Sequence, residues 1–145
     1  MGIAASGTPI ASAPMASTRN RPPNRRARLA MSGALTAIGI AHFVAPKGFE
    51  AIIPEELPAK RALVYGSGVA EVALGVALAV RPTRAVGWAT VGLLAAVFPA
   101  NINMAVRNIQ VPGAPAVPQW ALWARLPMQG AMAWAALAAT RPTTD

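Results

Sequence analysis

ALVYGSGVAEVALGVALAV, residues 62–80, decides the fold. Nineteen residues separate Arg61 from Arg81, and Glu71 is the one charge among them. At about 100° per residue, Leu63, Val64, Val69, Val72, Leu74, Val76 and Leu78 cover every side of a helix. A helix apolar all round is either enclosed by protein or immersed in lipid.

Three neighbouring runs repeat the pattern. Residues 29–46, LAMSGALTAIGIAHFVAP, carry no charge between Arg28 and Lys47. Residues 85–106, AVGWATVGLLAAVFPANINMAV, carry none between Arg84 and Arg107. The last run, WALWARLPMQGAMAWAALAAT at residues 120–140, contains Arg125. A spanning helix needs roughly 20 mostly apolar residues, with about 17 as the lower bound. Four such runs in 145 residues leave nothing to enclose them. The sequence therefore predicts an all-α, membrane-spanning, antiparallel four-helix bundle, with spans near 29–45, 62–80, 85–106 and 120–139. Pro127 leaves a second reading of the last run. It can start a short helix, with residues 120–126 re-entrant or on the surface.

Composition agrees. The chain is 54% hydrophobic and 12% charged, about half the charge of a soluble domain. It has no cysteine, which excludes a disulfide scaffold and a thiolate metal site. No metal-ligand spacing, phosphate loop or nucleophile elbow is present. The net charge of +8 does not make a nucleic-acid partner, because no basic stripe interleaves with aromatic residues. The basic residues flank apolar runs instead. Residues 1–24 are rich in Ala, Ser, Pro and Thr and read as a disordered basic tail ahead of one membrane domain at 25–141.

Orientation follows from Lys and Arg in the short loops. With four spans both termini share a side. That side holds Arg19, Arg21, Arg25, Arg26, Arg28, Arg81, Arg84 and Arg141, whereas the other holds Lys47, Lys60, Arg61 and Arg107. Eight against four places both termini in the cytoplasm of a multi-pass cell-membrane protein. The outer loop, PKGFEAIIPEELPAKR at residues 46–61, offers Phe49, Ile52 and Ile53 as an apolar edge resting on the membrane surface.

Polar groups inside the spans gather at one depth. Counted at about 1.5 Å per residue from the outer face, Glu71 and Gln129 lie equally deep. Arg125, His42, Asn101 and Asn103 share the same half. Gly68, Glu71 and Gly75 form one stripe that faces a neighbouring helix. Arg125 and Gln129, four apart, share another. A central membrane charge costs about 3 kcal/mol by insertion scales, and Arg125 cannot deprotonate. The lowest-energy arrangement on these grounds is a Glu71–Arg125 pair, with Gln129, Asn101 and His42 filling the remaining hydrogen-bond positions. Asn101 follows Pro99, which frees a carbonyl one turn earlier for a polar side chain or water. The candidate ligand-binding set is His42, Tyr65, Glu71, Asn101, Arg125 and Gln129, with Glu71 and His42 as proton-exchanging groups and no metal. The plain alternatives are interhelical locking for Glu71, Arg125, Asn101 and Gln129, and interfacial anchoring for His42 and Tyr65.

Five segments in order resemble the DoxX-like family of small four-helix membrane proteins. They are GIAHFVAP (39–46), IIPEELP (52–58), VYGSGVAEVALG (64–75), FPANINMA (98–105) and RLPMQ (125–129). The resemblance covers about Leu29 to Ala139. It implies the four-helix fold, and it implies that His42, Glu71, Asn101 and the Arg125–Gln129 segment are the recurrent polar positions. Some relatives are subunits associated with thiosulfate–quinone oxidoreduction, and others belong to redox and oxidative-stress complexes at the bacterial membrane. The chain departs from thiol-redox relatives in lacking cysteine, so it cannot itself exchange dithiols. Its single histidine excludes a bis-histidine haem within one chain.

Three functions follow. The first is a redox-associated subunit holding a quinone or other small lipophilic molecule in the outer-half pocket, with membrane or soluble redox proteins as partners. The second is a small proton-linked transporter gated by Glu71, which favours a homo-oligomer. The third is a non-catalytic scaffold whose polar cluster is structural.

Overall fold

A computed structural model describes residues 25–112 and 115–141. Five helices account for the architecture: α1 (Arg25–Val44), α2 (Pro46–Ile52), α3 (Lys60–Val80), α4 (Arg84–Val106) and α5 (Gln119–Ala139). No strand occurs among the described residues. α1, α3 and α4 are long and apolar enough to cross a membrane. α5 has the length, but Arg125 and Gln129 interrupt it and it is not among those three. The tail at residues 1–24 lies outside the described residues.

α1 packs along α3 through glycine. A Cβ on Gly39 would lie 2.8 Å from the Gly68 carbonyl oxygen, and one on Gly68 would lie 2.8 Å from His42 Cβ. Only residues without a side chain let the two backbones meet this closely. The Ser32 hydroxyl donates to the Gly75 carbonyl at 2.6 Å, fixing the register. α4 begins where Thr83 Oγ1 accepts from the Val86 amide, an N-cap that satisfies a free backbone donor. It packs on α5, with Gly87 against Thr140 and Leu94 against Gln129. α5 runs unbroken through Pro127, which removes the reading of a helix starting there.

Two small cores hold the helices together. Met31, Leu35, Leu78 and Ala136 form one. Met104, Ala105 and Leu122 form the other, with Ile52, Ile109 and Val111 against it. The second core exists because α2 folds back over that end. Pro46 sits in its first turn, where a missing amide hydrogen is harmless. A Cβ on Gly48 would lie 2.6 Å from Val111 Cγ1. Asn103 Nδ2 donates to the Ile52 carbonyl at 2.9 Å. Glu50 pairs with Arg61 at 3.1 Å, and Glu55 pairs with Arg107 at 3.3 Å.

This short helix corrects the sequence reading of residues 46–61. Phe49, Ile52 and Ile53 do not form an outward edge. They turn inward and line a cavity, and Ile53 is 8% exposed. Burying them removes more apolar surface from water than resting them on an interface would.

Candidate functional site

Between the two cores lies a cavity of about 520 Å³, within the range of small-molecule sites. All five helices contribute to its wall. The wall is mostly aliphatic. Its polar members are His42, Ser67, Glu71, Asn101, Arg125 and Gln129. Five of the six sequence candidates thus share one chamber. Tyr65 does not. Its ring stacks on Phe43 with centroids 5.5 Å apart, and the Arg61 guanidinium lies 5.9 Å above it. Tyr65 lies about 120° or more from Glu71, Ser67 and Ala70, the deeper lining positions of α3.

His42 and Glu71 form the polar corner. His42 Nδ1 is 2.8 Å from the Ile38 carbonyl one turn back. A carbonyl only accepts, so Nδ1 carries the ring hydrogen. Phe49 stacks on the imidazole at 3.7 Å. Glu71 Oε2 approaches Nδ1 to 3.3 Å. The Nδ1 hydrogen is directed at Ile38, and Glu71 Oε2 is buried with no hydrogen-bond partner. An oxygen in that condition is costly unless a further group supplies a hydrogen bond.

The expected Glu71–Arg125 pair is not formed. Arg125 is exposed at the cavity wall, and its Nη1 lies 3.7 Å from Met104 Sδ. No carboxylate among the described residues forms an ion pair with it. The physical reason is rotation. Equal depth along two helices does not bring side chains together unless their faces meet. The Gly68–Glu71–Gly75 stripe is sealed against α1, and His42 lies three residues after Gly39 on the facing stripe. Histidine therefore reaches Glu71 first.

On the opposite wall Asn101 Nδ2 donates to Gln129 Oε1 at 3.0 Å. Gln129 Nε2 donates to the Leu94 carbonyl. Pro99 lacks the amide hydrogen that would bond Ala95, and Leu94 is the next residue back in that loosened turn. The side-chain bond thus goes to Leu94, one residue before the Ala95 carbonyl that Pro99 frees. Asn103 points elsewhere, to Ile52.

Sequence reasoning missed Phe49 and Ser67. Phe49 belongs to α2, whose only local signal was Pro46. Ser67 satisfies itself on the Val64 carbonyl at 3.0 Å, and its lining position follows from Glu71 at i+4. Among the described residues no group of His, Asp or Glu is arranged to hold a metal ion. The chamber can instead take an apolar body and offer it one unsatisfied carboxyl oxygen.

The family described as a domain of unknown function, DUF8561, matches residues 31–140, which includes every helix but the first turns of α1. The chain belongs to the DUF8561 family. No curated protein and no solved structure matches it. The matched segment contains the complete cavity wall, so the chamber lies within the DUF8561 unit.

Proposed function

We propose that this DUF8561 chain is a multi-pass membrane protein that holds a small lipophilic molecule, of the quinone or quinol class, in the cavity beside Glu71 and His42. It acts as a redox-associated subunit of DoxX-like character. α5 is the fourth crossing segment of an antiparallel bundle, and both termini are cytoplasmic. The contacts of Ser32 with Gly75 and of Gly39 with Gly68 support opposite directions for α1 and α3.

The carrying observation is the unpartnered, buried Glu71 Oε2 on the wall of an otherwise apolar chamber. A quinol hydroxyl donates to such an oxygen, and its ring occupies the aliphatic volume. His42, held by Ile38 and Phe49, lies 3.3 Å from the carboxyl and bounds the chamber beside it. The other wall favours a structural role, since Asn101 and Gln129 satisfy each other and Leu94.

Native mass spectrometry of the protein equilibrated with a decyl-tailed benzoquinol tests this reading. Wild type should retain one equivalent. Glu71→Gln, which turns part of the acceptor into a donor, should lose about tenfold in affinity, matching about 1.4 kcal/mol for a hydrogen bond to a charged or buried group. Equal retention by both proteins contradicts it.

A further inference from the structure

The cavity is bounded at its ends by packed or fastened segments and is thin along one side. At one end stands the core of Met31, Leu35, Leu78 and Ala136. At the other, α2 and the following loop are fastened by Glu50–Arg61, Glu55–Arg107 and the Asn103–Ile52 hydrogen bond. The side between α3 and α4 has no such fastening. On α3 the lining residues Leu63, Gly66, Ser67 and Ala70 follow the i, i+3, i+4, i+7 spacing of one face. On α4 the lining residues Leu93, Ala96, Val97 and Ala100 follow the same spacing. Gly66 and Ala96 lie at the same edge of the two faces, and both are exposed although they line the chamber. A Cβ added to Gly66 would meet no atom within 4 Å. The wall there is one small residue thick on each helix.

We propose that the site is loaded sideways, through the slot between α3 and α4. Its ligand is then an amphiphile with a compact hydrogen-bonding head and a long apolar tail. The head reaches Glu71, while the tail stays in the slot between Gly66 and Ala96 and continues into hydrocarbon. This inference rests on the reading that the cavity holds a small lipophilic molecule, and it adds the route and the tail. Physically, a tail that never leaves an apolar medium crosses no water layer. Entry through α2 would instead break the Asn103–Ile52 bond and expose Phe49 and Ile52.

The test uses the full chain in lipid nanodiscs and a benzoquinol with a decyl tail ending in a diazirine. Photolabelling of wild type should place the tail on residues 66–70 and 96–100; label on residues 54–58 overturns the proposal. Gly66→Trp combined with Ala96→Trp should slow loading by about tenfold or more, as obstructed access lowers an association rate. Loading at the wild-type rate by a folded double variant overturns it, and if that variant does not fold, the label map on wild type decides. Glu50→Cys with Arg61→Cys, bridged by a short bis-thiol reagent, clamps α2 to α3 in a chain that has no other cysteine. The clamped protein should load normally, and blocked loading overturns the side route. A wild type that binds no probe removes the ligand reading itself, whereas binding with label outside the slot removes only the route.

Discussion

At the scale of single residues, the account turns on which polar atoms already have partners. Glu71 Oε2 has no hydrogen-bond partner, only His42 Nδ1 at 3.3 Å, so replacing Glu71 by Gln should leave the ligand-free protein as stable or slightly more stable. Thermal unfolding in detergent should show a midpoint equal to or above wild type; a large drop would mean that the carboxylate is a structural lock. Asn101 and Gln129 behave oppositely, because each supplies a bond the other needs. A double-mutant cycle of Asn101→Ala and Gln129→Ala should give a coupling near 0.6 kcal/mol and no more than about 1.7, the span measured for interhelical side-chain bonds in membranes. Zero coupling in the unfolding free energies would contradict the contact. The surface pair Glu55–Arg107 is largely exposed, so Arg107→Ala should change stability by less than about 1 kcal/mol.

At the scale of elements, α1 and α3 form the tightest unit because glycines replace side chains along their seam. Gly39→Leu should destabilise the protein by about 1–3 kcal/mol, the usual result of overpacking, whereas Gly66→Leu, facing open space, should be near neutral. Unfolding in detergent distinguishes them, and equal effects would contradict the seam. The helices were legible because their apolar runs are long and three of the four are bounded on both sides by Arg or Lys. Predicted span 85–106 and observed α4 differ by one residue at the start. The all-round apolar surface of α4 was legible for the same reason: its apolar residues have no preferred side. α2 was not legible, since seven residues set one residue after α1 are too few to show periodicity. The Glu71–His42 contact was missed because depth was counted and rotation was not. Gly39 with His42, and Gly68 with Glu71, are both three apart, and matching those two stripes would have found it. The candidate residues themselves were legible because a polar side chain in a long apolar run has few reasons to be there.

At the scale of the whole molecule, loops at the two ends differ in charge, and the proposed orientation makes a direct prediction. The chain has no native cysteine, so Pro82→Cys and Glu56→Cys can be labelled singly with an impermeant maleimide on intact cells. Glu56→Cys should label from outside and Pro82→Cys only after permeabilisation; the reverse pattern would invert the topology. The cavity depends on the same arrangement, because two cores at opposite ends keep the middle open. The most direct measurement of the account is a crystallographic map from lipidic mesophase, grown with the decyl-tailed benzoquinol present. The account predicts non-protein density within hydrogen-bond distance of Glu71, with His42 Nδ1 still on Ile38. A closed chamber in which the Glu71 carboxylate is instead bonded by Arg125 would contradict it.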